Sequence, residues 1–208
     1  MRFSQAIVAL AFIVGFGPTV SPGAEAPSQM RVRQLAGTVR VERFVLSANE
    51  LARITDDVVI ESETDIIIDG PLAVDEPGAQ RRHAPNITLR AARRVLISGA
   101  ITPANGRAGD PGLQGGRGTS LEIEAPLVVT HGAELRAGNG AEGVAASGGD
   151  GGSVIVRGRI VHADRLARPV LRAGHGGRGG DGGHRGGNGG DAICEPLPPG
   201  GGGWLPLC

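Results

Sequence analysis

The sequence contains no lysine and no tyrosine, and all 21 of its basic residues are arginine. Asp and Glu also number 21, so the formal net charge is zero. That balance removes the electrostatic basis for gripping nucleic acid or an anionic membrane. Aromatic residues make up 2% of the chain, and outside residues 1–26 only Phe44 and Trp204 remain. A conventional core wants more large side chains than this, and a sugar site ordinarily wants an aromatic face to stack on. Missing too is any apolar run of the roughly 20 residues that a membrane-spanning helix requires.

The N-terminus carries a different signal. Arg2 gives a positive start, residues 6–16 form a short apolar stretch, and Ala24-Glu25-Ala26 fits a small-x-small cleavage site. The mature chain is expected to begin near Pro27 in a secreted or periplasmic setting, and no cysteine stands at the cleavage point to take a lipid anchor. About 180 residues then remain, one domain of ordinary size. Both cysteines, Cys194 and Cys208, lie in the final Pro/Gly-rich segment. In an exported chain they are expected to form one disulfide, worth roughly 3 kcal/mol by chain entropy; two free thiols are the alternative.

A repeat emerges once the glycine-rich connectors are set aside. Residues 57–72, 86–101, 120–135 and the segment opening at 153 share one grammar. Apolar residues alternate at Val58 and Ile60, Ile87 and Leu89, Leu121 and Ile123, Val154 and Val156, the period-2 mark of strands. A small residue follows two positions later (Ser62, Ala91, Ala125, Gly158). Then come Ile66, Val95 and Val129, another small residue (Gly70, Gly99, Ala133) and a closing apolar residue (Leu72, Ile101, Leu135). From first to last apolar position each of the first three bodies spans 14 steps (58 to 72, 87 to 101, 121 to 135). The fourth runs from Val154 to Leu171, with an expected bulge around Arg165 to Ala167. Length variation is thereby confined to connectors, the signature of a solenoid whose stacked coils share one core.

This pattern resembles the right-handed parallel β-helices of bacterial exoproteins, both haemagglutinin-like adhesins and pectate-lyase-like enzymes, over residues 57–171. The expected fold is all-β: a single-stranded parallel β-helix of about four coils. Residues 27–56 are expected to form an N-terminal cap, 57–191 the solenoid with its loops, and 192–208 the disulfide-closed tail. Within the cap region, 33–54 fits an amphipathic helix or an irregular first coil equally well.

Three connectors are dominated by glycine. The first has glycine at 106, 109, 112, 115 and 118, a period of three that matches polyproline II and places glycine along one face. The others span 138–153 and 174–191. Locally they resemble the glycine-rich polyproline II bundles of snow-flea antifreeze protein and of the N-terminal domain of Obg GTPases; that likeness carries no catalytic residue across. The loops are expected to be ordered and mutually packed rather than flexible linkers.

Candidate chemistry is sparse. Residues 186–193 match the calcium-binding GGxGxDxU repeat, making Asp181 and Asp191 candidate calcium ligands. The two stand ten residues apart where the repeat wants nine, and the earlier copy lacks its apolar residue. His175 and His184, near Asp181, form a candidate transition-metal pair. His131 falls where the other bodies carry Ile68 and Ile97, either as a register shift or as a core histidine. The acids Asp56, Asp57, Asp65 and Asp69 do not recur in later bodies, so no facing carboxylate row is built for a lyase or hydrolase. Arg93 and Arg94 are expected to pair with Asp65 across coils on a solvated face. The sequence leans away from an enzyme and toward a non-enzymatic structural or interaction module. Its partner would be a protein or polysaccharide surface. A small carbohydrate-active β-helix enzyme and a calcium-binding module are the alternatives, and no cofactor is expected beyond that calcium.

Overall fold

The computed structural model describes residues 30–132, 134–163 and 170–195. The expected signal segment, the bulge near Arg165, Ala133, Trp204 and Cys208 lie outside the described residues. Within them the chain is all-β, with thirteen strands, no helix, and a large sheet in which strands pair in parallel. This arrangement is consistent with a β-solenoid.

Three parallel ladders are formed. In the first, residues 37–41 of β1 (Arg31–Val41), 58–62 of β3 (Glu50–Ser62), β6 (Ile87–Ala91), the start of β9 (Leu121–Thr130), the start of β11 (Val154–His162) and β13 (Ala192–Glu195) pair in that order. The second joins β2 (Phe44–Leu46), β4 (Asp65–Ile68), β7 (Arg94–Ile97) and the second halves of β9 and β11. The third joins residues 31–35, 50–54, β5 (Leu72–Val74) and β8 (Ile101–Thr102). Further along the chain, β10 (Leu135–Arg136) pairs β12 (Leu171–Arg172). The helical alternative for 33–54 is overturned: this stretch supplies strands to the same ladders as the repeat that follows.

Alternation fixes which side chains face inward. Val58, Ile87, Leu121 and Val154 form one buried column, and Ile60, Leu89, Ile123 and Val156 the next. Stacked aliphatic columns fill this interior, which explains how the chain builds a core with Phe44 as its one described buried aromatic. At the N-terminal end Arg33 occupies the register position of Ala52 and Leu72. Its guanidinium carbon lies 4.9 Å from the centroid of the Phe44 ring, a cation over an apolar end that discourages edge-to-edge aggregation.

The corners carry a correction to the sequence register. Val128, not Val129, aligns with Ile66 and Val95 and is fully buried. From the second inward residue of the first ladder to the first of the second, Leu89 to Val95 takes six steps, Ile123 to Val128 five and Val156 to Ile160 four. Pro126 stands at the first shortened corner and Gly158, at φ 130°, at the second. Thr130 therefore takes the position of Ile68 and Ile97, and His131 is exposed. The Thr130 side chain is fully buried and its hydroxyl has no hydrogen-bond partner among the described residues. An unsatisfied hydroxyl of this kind costs about 1–2 kcal/mol. Thr130→Val, which keeps the shape and removes the hydroxyl, is expected to raise the midpoint of chemical denaturation by a corresponding amount.

Candidate interaction surface

After β5, β8, β10 and β12 the chain leaves the strands in loops that run out and back to the first ladder, each with an outgoing and a returning arm. Their order comes from the backbone. The Arg107 N–H donates to the Arg82 carbonyl, Gly116 to Arg107, Ala141 to Gly116, Gly149 to Ala141, Gly177 to Gly149 and Gly187 to Gly177, all at 2.8–2.9 Å. A second such line runs through Ala104, Thr119, Gly138, Gly152, Gly174 and Gly190 at 2.8–3.0 Å. Every loop is thus bonded both to itself and to its neighbours, as expected for packed arms and not for linkers.

Glycine is required here by proximity. The arm glycines lie outside the left-handed region, which is confined in these loops to the tips at Gly112, Ala145, Gly182 and Gly183. A Cβ on Gly116, Gly149 or Gly187 would instead fall well within 3.0 Å of a carbonyl oxygen on the returning arm of the preceding loop.

Side chains reinforce the stacking in columns. The Asn86 N–H donates to Asp57 Oδ1 (2.7 Å), Ser120 to Asn86 Oδ1 (3.1 Å), Ser153 to Ser120 Oγ (3.1 Å) and Asp191 to Ser153 Oγ (3.0 Å). On the outgoing arms Asn139 and His175 donate their N–H groups to Asn105 Oδ1 and Asn139 Oδ1. The candidate metal residues fall at opposite ends of the last loop. Asp181 and His184 are at its tip, whereas His175 and Asp191 sit near its base, where Gly190 bonds Gly174. Among the described residues no three His, Cys, Asp or Glu side chains gather as a metal would require.

The strand faces are organised differently. One of the two outward columns of the first ladder reads Arg40, Glu61, Arg90, Glu124, Arg157 and Glu195, a strict alternation of sign over six rungs. Arg40 meets Glu61 at 2.6 Å, Arg90 lies 3.5 Å from both Glu61 and Glu124, and Arg157 reaches Glu195 at 2.9 Å and also Glu122. A shallow groove opens beside Glu61 and Glu124. The hydrogen bond from Arg40 holds the Glu61 carboxyl below its usual range, assisted by the charges of Arg40 and Arg90. A general acid needs the opposite shift. The second ladder presents an apolar outward row, Val45, Ile67, Leu96, Val129 and Val161.

Asp65 departs from the solvated pair expected of it. Its side chain is buried, with Arg93 contacts at 3.0 and 3.1 Å and Arg94 at 3.2 Å. Burial pushes its carboxyl up, but the Arg94 hydrogen bond and the two guanidinium charges outweigh that and leave it lowered. A lowered folded value stabilises the protein above the unfolded value of about 3.9, and this contribution fades as pH falls through the folded value. The denaturation midpoint is expected to drop on acidification below about pH 4, and Asp65→Asn to flatten that dependence.

No family model, curated protein or solved structure matches the chain. Sequence reasoning missed both outward rows. The charged row was readable, since a charge follows directly after each inward residue Ile60, Leu89, Ile123 and Val156.

Proposed function

We propose that this chain is an exported, non-enzymatic β-solenoid in which successive passes through the three ladders are coils and the glycine-rich arms are polyproline II-like. It serves as a structural or interaction module of the cell envelope or its surroundings, binding a protein or polysaccharide through the loop surface. The observation that supports this reading is a contrast in charge. The outward row of the first ladder is paired off internally, whereas Arg107, Arg117, Arg178, Arg185, Glu142 and Asp181 on the loops make no ion pair among the described residues. Their backbones are held in a fixed lattice, so binding a partner costs less ordering than a mobile loop would.

The test is retention of the purified mature protein on isolated envelopes of its own cells. Arg117→Glu and Arg185→Glu, both on returning arms, are expected to weaken retention without moving the melting temperature. Unchanged retention would remove the loop surface from consideration, and depolymerisation of an acidic polysaccharide would replace the reading with the enzymatic one.

A further inference from the structure

The loop layer ends on an edge that is built to continue. In the two preceding loops, Gly106, Gly140 and Gly143 donate their N–H groups to the next outgoing arm, at Asn139, His175 and Arg178. The carbonyls of Gly116 and Thr119, then Gly149 and Gly152, accept N–H groups from that same next arm. In the last loop the corresponding groups are the N–H of Gly176 and Gly179 and the carbonyls of Gly187 and Gly190. All four lack a partner among the described residues. They flank the position that the next outgoing arm takes on each preceding loop, which defines a groove between the outgoing and returning arms.

Steric constraints agree. Gly115 and Gly118, and then Gly148 and Gly151, are glycine because the next outgoing arm leaves no room for a Cβ. Their counterparts Gly186 and Gly189 face no such arm among the described residues, whose nearest atoms stand 3.2 and 3.7 Å from where a Cβ would be. The other edge of the layer behaves oppositely. The first outgoing arm is preceded only by the connector at residues 75–86, which it meets through the Arg107–Arg82 bond, and there Ala104 and Arg107 stand in place of Gly138 and Ala141. The chain carries side chains at its closed edge and omits them at its open one.

We infer that this groove binds one extended glycine-rich polypeptide strand of a partner protein, with glycine or alanine at every third residue. The strand accepts hydrogen bonds from Gly176 and Gly179 and donates to Gly187 and Gly190, a polyproline II counterpart of adding a strand to a sheet edge. A second copy does not fit, because the Arg107 N–H of its first outgoing arm is already bonded to its own Arg82 carbonyl, and Arg107 stands where the later arms carry Ala141 and Gly177. The inference rests on the interaction reading and names its partner class. Envelope retention through Arg117 and Arg185 is read separately, so either can fail alone.

The probe is a peptide copying residues 137–144, the second outgoing arm, added to the whole mature protein. Slowed amide exchange at Gly176 and Gly179 is expected on titration, and a peptide with valine for each glycine should have no effect. Gly189→Ala should leave the melting temperature unchanged while weakening the peptide at least about tenfold. Equal binding by Gly189→Ala, or no protection by the peptide, would overturn the proposal. Protection of both amides before any peptide is added would also overturn it, in favour of residues 196–208 of the same chain filling the groove.

Discussion

Gly149→Ala is expected to abolish slow amide exchange across residues 138–152 and 174–190 and to destabilise the protein by about 4 kcal/mol. Gly149 occupies the middle of the hydrogen-bonded line, donating to Ala141 and accepting from Gly177. A methyl group there would collide with the carbonyl oxygen of Gly116, which is backbone and already engaged with Ala141. Relief requires the arms to separate, which breaks both bonds of Gly149 and frees the loop beyond it. The matched control is Gly78→Ala, where a Cβ meets nothing within 4 Å and φ is not left-handed. It should be silent. Exchange measured by mass spectrometry, together with denaturant midpoints, reads both variants, and intact exchange protection in Gly149→Ala would mean that the arms are not packed as described. Because the strand columns do not depend on Gly149, the loss should open the loop layer before the ladders, as local unfolding does.

Different parts of this molecule leave different prints in its sequence. A strand whose inner face is buried must alternate, so Val58 and Ile60 and their counterparts are visible without a structure. Close-packed arms must omit Cβ atoms, so the glycine period at 106–118 is equally visible. The partners of those glycines are not, because a backbone carbonyl such as Gly116's has no sequence identity. The first strand of the ladders is hidden in another way: Arg33 and Gly37 hold register positions that carry aliphatic residues later on. Burial of Asp65 was illegible for a similar reason, since its carboxylate reads as surface until Arg93 and Arg94 close over it. The alternating row from Arg40 to Glu195 was written plainly but only across paired strands, at separations set by the loops. Such exposed pairs are individually weak. Their effect is to pair off the charges of that row within the protein, which moves the search for a partner to the loops.

The corner at Ala125 and Pro126 is where pattern and structure part, and it yields the sharpest test of register. The third repeat keeps its 14 steps by dropping one residue before Val128 and adding one between Thr130 and Leu135, so the alignment of its ends conceals the shift inside. Val128→Asp would place an unpaired carboxylate among Ile66, Val95 and Ile160 in the core, at a cost above about 4 kcal/mol. With total stabilities of about 5–15 kcal/mol, that is enough to remove cooperative melting or lower it severely. Val129→Asp, one residue along, faces outward between Leu96 and Val161 and should cost only about 1 kcal/mol of lost aliphatic contact. Thermal melts followed by circular dichroism distinguish the two at once. The sequence register predicts the reverse order, so a stable Val128→Asp beside an unfolded Val129→Asp would restore it. Leu89→Asp and Ile123→Asp, inward in both registers and fully buried, fix the scale against which either result is judged.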